Sequence, residues 1–441
     1  MSRNRRADTP APIDGHRRQV LKGLGLAAFG CPFAGIATAR AEAPPAHHMT
    51  DAPVANAASA EDRVPFLGRH QAGITTPRPA NGMIASFDVI AETPDDLEAL
   101  FKTLTGRIAF LTGGGVSPDL DPRLPPAGSG ILGPVIRPDA LTVTVSLGAS
   151  LFDDRAWLKE LKPRRLSRMT RFPNDALDAA LCHGDLTLQI CANTQDTTIH
   201  ALRDIIRNTS RHLVLRWKQE GTVPVIVPGP DGVVESARNF LGFRDGSANP
   251  DAGDAAAMER VVWVGPERGE PEWALGGSYQ LVRIIRNFVE RWDRTPLREQ
   301  ERIMGRTKVA GAPLDRPEAD EFTVPDYAAD AHGRLTPFDA HIRLANPRTP
   351  ASEENLILRR PFNYSNGVTR SGQLDQGLLF ICYQGDLEKG FIAVQRRLDG
   401  EPLEEYIKPV GGGYFFTLPG IRDASDHLGS TLIAAVRKTT P

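Results

Sequence analysis

Between residues 82 and 219 the chain follows one grammar of strand, helix, strand, strand, helix, strand, and that order leaves few ways to fold. "GMIASFDVIA" (82–91) reads as a strand and runs into "TPDDLEALFKTLTGRIAF" (93–110). Thr93 is placed to cap a helix, Pro94 takes the first helical position where a missing N–H costs nothing, and Asp95 and Asp96 face the positive end of the helix dipole. Leu97, Leu100, Phe101, Leu104 and Ile108 then recur on one face. "LTVTVSLG" (141–148) and "GDLTLQICA" (184–192) read as strands, a helix over about 196–208 carries Ile199, Leu202, Ile205 and Ile206, and "HLVLRWKQ" (212–219) closes the unit. This is the split βαβ order, which sets helices on one face of an antiparallel sheet.

The second half repeats it. "GSYQLVRIIRNFVERW" (277–292) is strand-like, "TPLREQERIMG" (295–305) again opens on Thr-Pro, "GLLFICYQ" (377–384) precedes a helix at "DLEKGFIAVQRRL" (386–398), and a strand near "GGYFFTL" (412–418) ends the series. The expected architecture is α+β with two tandem ferredoxin-like domains, residues 65–230 and 231–435, divided near "VPGPDG".

The N-terminus reads differently. Arg17-Arg18, then Val20-Leu21-Lys22, then a weakly apolar uncharged run to Ala39 and small residues at Ala39 and Ala41 have the form of a twin-arginine export signal over residues 1–41, an address for the periplasm. That route carries folded proteins, which hints at a cofactor inserted before export. Residues 42–64, rich in Ala and Pro, read as a disordered tether.

Removing residues 1–41 takes seven Lys/Arg and two Asp/Glu from totals of 52 and 54, so the remaining chain carries −7. A nucleic-acid partner, which needs a basic face, is excluded. No run of 18 strongly apolar residues occurs, so no membrane-spanning helix is expected. Cys182, Cys191 and Cys382 follow the signal with no CxxC or CxxCH, which excludes a cysteine-rich zinc or iron–sulfur site and covalent haem attachment. They are expected to be buried small apolar residues.

Chemistry must then come from a few side chains. Asp245-Gly246 in "GFRDGSANP" (242–250) suits a surface turn as well as an acid–base group. His341 in "HIRLANPRT" (341–349), followed by Asn346-Pro347, suits a satisfied core histidine as well as a ligand, and Arg359-Arg360 in "LILRRPFNYSNGV" (356–368) suits a solvated strand edge.

Taken together with "GRHQAGITTP" (68–77), and with an arginine 18 residues after the histidine, these motifs resemble the dye-decolorizing (DyP-type) haem peroxidases, specifically their exported deferrochelatase branch. The likeness covers about residues 65–435. It implies a haem b peroxidase with one non-covalent haem per chain, held mainly by the second domain. His341 would be the proximal iron ligand, Asp245 the distal acid–base and Arg359 its cationic neighbour. Gly246, Ser247, Ala248, Asn346, Pro347 and Arg348 would touch the cofactor. Hydrogen peroxide and an electron donor are the implied substrates, with release of iron from haem as a further activity, components of a ferrous-iron transport system as partners and a homodimer as the assembly. The competing expectation is a non-enzymatic haem- or iron-binding protein of an iron-uptake system.

The residue types suit that chemistry. Neutral imidazole binds haem iron, and a carboxylate behind it, Asp339 or one distant in sequence, raises its basicity. A carboxylate can carry a proton between the two peroxide oxygens, and Arg cannot lose its charge. Gly242 and Gly246 are expected to bring backbone close to the porphyrin. Leu379 or Phe380 is expected to line the pocket, and Trp217, Trp263, Trp273, Trp292 and Tyr383 are the aromatic inventory for electron transfer.

Overall fold

The computed structural model describes residues 59–116, 121–224, 226 and 234–439. The expected export signal, most of the tether and most of the expected domain boundary lie outside them.

The first half supplies four strands, β1 (Asn81–Val89), β2 (Thr142–Gly148), β3 (Leu186–Ala192) and β4 (Leu213–Thr222). They pair antiparallel in the order β2-β3-β1-β4. Helices α1 (Pro94–Gly113) and α2 (Gln195–Thr209) link them. Both helices start as their sequences demand, with Thr93 accepting from the Asp96 amide and Thr194 from the Thr197 amide. Leu97, Leu100, Phe101, Leu104, Ile108 and Leu111 bury one stripe of α1 against Met83, Ala85 and Phe87 of β1.

The second half copies this order. β5 (Ser278–Asn287) is followed by α3 (Leu297–Met304), a long excursion, α4 (His341–Ala345) and the short β6 (Leu358–Arg359). Then come β7 (Phe362–Val368), β8 (Leu374–Gln384), α5 (Ala393–Leu398) after a π-turn at Glu388–Ile392, β9 (Ile407–Thr417) and α6 (Ser430–Thr439). The main strands lie β7-β8-β5-β9, the same ferredoxin-like arrangement as the first half. Four of these elements start earlier than their sequence suggests or were hidden in it. β9 begins at Ile407 because a bulge between Pro409 and Gly411 absorbs the proline, β8 begins at Leu374, and β7 and α6 carried no clear pattern.

The halves share a sheet. β9 pairs with β2 from Phe415↔Gly148 to Thr417↔Ser146, and β4 meets β7 at Thr222↔Asn363. Since β5 also pairs β8, eight strands close into a ring. Ile84, Cys191 and Trp217 pack inside it with Val282, Ile284, Leu379, Ile381 and Phe415, and the Tyr383 hydroxyl reaches Gln189 at 2.8 Å. Leu378 and Phe380, on the other face of β8, are only half buried. That outer face of the second-half sheet, roofed by the excursion, the π-turn and α5, is where a cavity opens. Cys182, Cys191 and Cys382 are buried and free, as expected. Among the described residues no helix is long and apolar enough to cross a membrane.

The seam between the halves has little slack. Gly412 sits at φ +121, its carbonyl accepts from the His183 amide at 2.8 Å, and a Cβ there would overlap the Val282 carbonyl oxygen. Gly412→Ala is therefore expected to destabilise the protein by about 1–3 kcal/mol, read as a lower midpoint in thermal or urea unfolding. An unchanged midpoint would show that the seam relaxes freely.

Candidate active site

The cavity has a volume of about 270 Å³. Two charged pairs stand in its wall.

Asp245 belongs to the loop that follows Gly242, whose φ of +87 only glycine adopts cheaply. The Asp245 amide donates to Ala237 at 2.8 Å and Asn239 Oδ1 accepts from the Leu241 and Phe243 amides, so the loop is held against residues 237–239. Arg359, on β6, donates from Nη1 to Asp245 Oδ1 at 2.7 Å. Asn249 clamps the Arg359 backbone at both ends, accepting from its amide at 2.8 Å and donating to its carbonyl at 3.0 Å. Asp245 Oδ2 takes no hydrogen bond from the described residues. The glycines of this loop serve protein contacts: a Cβ on Gly242 would meet the Lys308 side chain at 2.6 Å, and one on Gly246 would meet Ser236 Oγ at 2.6 Å. Here they make room for neighbouring side chains.

His341 opens α4, and its Nδ1 donates to Glu401 Oε2 at 2.7 Å. Glu401 is 3% exposed, while 29% of the His341 side chain is accessible. His341 lines the cavity, and with Nδ1 bonded to Glu401 the nitrogen left for a ligand is Nε2. Burial alone would lower the imidazole pKa. The charge and hydrogen bond of Glu401 outweigh it, and the net shift is upward. Of the two alternatives for the carboxylate behind His341, Asp339 is exposed at the surface two residues before the helix, and the partner is one distant in sequence, Glu401.

After α4 the chain turns sharply. Asn346 Oδ1 accepts from the Arg348 amide and from Ser352 Oγ, both at 3.1 Å, and this holds Arg348 at φ +57, a left-handed conformation that costs a non-glycine residue about 1 kcal/mol or more. The Arg348 guanidinium has no hydrogen-bond or ion-pair partner among the described residues and lines the cavity.

The fold thus brings together His341, Asp245, Arg359, Gly246, Ser247, Ala248, Asn346 and Arg348, all in the cavity wall. Pro347 is not in that wall. Leu379 is turned away into the ring, and Leu378 and Phe380 line the cavity instead. Trp217, Trp263, Trp273, Trp292 and Tyr383 are all buried, and none lines it. Sequence reasoning missed Glu401, Asn249, Arg306 and Tyr327. Tyr327 and Arg306 share the cavity wall, and burial pushes the Tyr327 phenol up to about 12. Glu401 and Asn249 carry no local signal, since each is defined by a contact far along the chain.

Comparison with known proteins adds to this geometry. Residues 71–222 match the family model described as Dyp-type peroxidase, N-terminal, and residues 236–422 match Dyp-type peroxidase, C-terminal. The chain is 56% identical over 420 residues to the deferrochelatase of Escherichia coli O6:K15:H31 (strain 536 / UPEC), covering 95% of this chain and 96% of that protein. It is 55% identical over 418 residues to the deferrochelatase of Shigella flexneri, with the same coverage. Among solved structures, a DyP-type peroxidase from Cellulomonas bogoriensis is 34% identical with a TM-score of 0.74 over 85% of this chain and 99% of that one. Ferric DtpA from Streptomyces lividans is 32% identical, also at 0.74, over 85% and 98%.

Proposed function

This chain belongs to the Dyp-type peroxidase family, and on that premise we propose that it is a periplasmic haem b peroxidase whose iron is held by His341 and whose proton carrier is Asp245. It reduces hydrogen peroxide and oxidises an electron donor. The observation that carries the reading is one cavity walled by both an imidazole backed by a carboxylate and a carboxylate bonded to a guanidinium.

The residues fit haem. His341 Nε2 is left for a ligand, Leu378 and Phe380 offer apolar walls, and the unpartnered Arg348 suits an anionic side arm. Gly246, Ser247, Ala248 and Asn346 are assigned to cofactor contact on the family pattern. When bound, haem supplies an iron centre that accepts electrons from a donor and delivers them to peroxide. Everything else falls to the chain. Glu401 fixes the His341 tautomer and raises its basicity as a ligand. Arg359 occupies Asp245 Oδ1, so Oδ2 is the atom that takes a proton from one peroxide oxygen and returns it to the other. The same guanidinium stabilises the negative charge that builds as the O–O bond breaks, and the buried setting strengthens it.

Export through the twin-arginine route is supported by the residues at 17–22 and by the apolar run behind them. Removal of iron from haem, the activity named for the relatives, would use the same cavity, with the freed iron passing to a ferrous-iron transport system.

Haem-depleted protein titrated with hemin is expected to bind one equivalent, show a Soret band, and oxidise a reducing dye on addition of peroxide. Iron removal is read separately, as protoporphyrin fluorescence. A full Soret band with no dye oxidation would favour a haem-binding protein over an enzyme.

A further inference from the structure

We propose that Glu321 is a positioning residue for the Asp245 loop: from behind the cavity wall it staples the two sides of that loop together and fixes the direction of the Ser247 hydroxyl. The proposal rests on the reading of Asp245 as the proton carrier.

Glu321 lies in the excursion between α3 and α4, about 75 residues from the loop in sequence, and is 3% exposed. Its two oxygens are divided between two targets. Oε1 accepts from the Ser236 amide at 2.7 Å and Oε2 accepts from Ser247 Oγ at 2.7 Å. Ser236 and Ser247 flank the stretch that carries Asp245, and that stretch is itself closed by the Asp245 amide on Ala237 and by the bridge between Arg238 and Arg244. One carboxylate therefore completes a ring around the catalytic acid.

Charge neutralisation does not account for Glu321. Arg244 is its nearest cation, but Nε stands 3.9 Å away with no hydrogen-bond partner, while Glu235 already pairs with Arg244 from the solvent side. The backbone of Glu321 is held independently, its carbonyl accepting from Arg306 Nη1 at 2.8 Å, and the same nitrogen reaches the Gly311 carbonyl at 2.6 Å. The carboxylate thus stands on a fixed platform. Since Ser247 gives its hydrogen to Glu321, the oxygen it shows the cavity next to Asp245 offers only lone pairs, a site for an O–H donor. Glu321 is not itself in the cavity wall, so it acts through Ser247 and the loop.

The test uses two preparations. In haem-free protein, Glu321→Ala is expected to speed hydrogen exchange of the Asp245 and Asn249 amides about 10-fold or more while amides of β1 and β5 stay at wild-type rates. In haem-loaded protein the same change is expected to slow reaction with peroxide about 10-fold, leaving the half-saturating dye concentration unchanged. Glu321→Gln keeps an acceptor for the Ser236 amide but turns an N–H donor toward Ser247 Oγ, so it should restore most of the exchange protection while reversing the Ser247 hydroxyl and leaving the peroxide reaction slow. If the alanine variant fails to fold, Ser247→Ala removes one arm alone and should still speed exchange at Asp245. Wild-type exchange in Ser247→Ala or Glu321→Ala overturns the proposal, as does a glutamine variant whose Asp245 and Asn249 amides exchange as fast as in the alanine variant, which would make charge the cause. Because exchange is read without haem, it stands apart from the role of Asp245 as a proton carrier, which its own substitution tests.

Discussion

Haem-loaded Asp245→Asn protein is expected to keep its Soret band and react with peroxide roughly 10²- to 10⁴-fold more slowly than wild type, the range for losing a positioned acid–base group. Asparagine has the shape of aspartate and still offers an oxygen to Arg359 Nη1, so the loop and its 2.7 Å contact have little reason to move. What it lacks is an atom that can take and return a proton at neutral pH. The loss should therefore appear in the second-order constant with peroxide, measured by stopped-flow absorbance, and not in haem content. Arg359→Leu complements it, because it keeps the acid and removes the charge that attends it. If Asp245→Asn reacts within about threefold of wild type, the proton moves by water or by another group, and the Asp245–Arg359 pair is then a structural ion pair. With 12% and 26% of their side chains accessible, the pair is shielded enough to matter to stability, so the melting temperature of each variant should be measured alongside.

How much of this was legible before the structure follows from which contacts are local. The α1 start at Thr93-Pro94 and its stripe from Leu97 to Leu111 are local, and so were readable. β7 was not, since only Phe362, Asn363 and Tyr364 are buried and Ser365 to Val368 are exposed, leaving no alternation to detect. The closed ring was also out of reach, because the pairing of β9 with β2 joins residues some 270 apart. At the site, Asp245, His341 and Arg359 could be placed through motifs, whereas for the carboxylate behind His341 the sequence left Asp339 and a residue distant in the chain as open alternatives. The helix begins at His341, which leaves Asp339 outside it in solvent, and the carboxylate that arrives is Glu401 from the turn after α5. Glu321 shows the same limit. Its neighbours Asp320 and Phe322 look no less significant in the sequence, and only burial and its two serine contacts set it apart.

His341→Ala is expected to abolish most haem retention, because it removes the only side chain in the described cavity wall suited to bind haem iron through nitrogen. Among the described residues no cluster of three metal-ligating side chains exists to substitute for it. The measurement is the Soret-to-280 nm ratio after desalting, with added imidazole restoring part of it by entering the space the side chain leaves. Glu401→Gln separates holding from tuning. The amide still accepts from Nδ1 but no longer carries charge, so haem should remain, bound or functioning about 10- to 100-fold less well, and the reduction potential should rise as the ring donates less to ferric iron. A His341→Ala protein with an undiminished band would place the iron elsewhere. In that case the upward shift of the His341 pKa, driven by Glu401 against burial, would mark a buried charged pair built for stability alone.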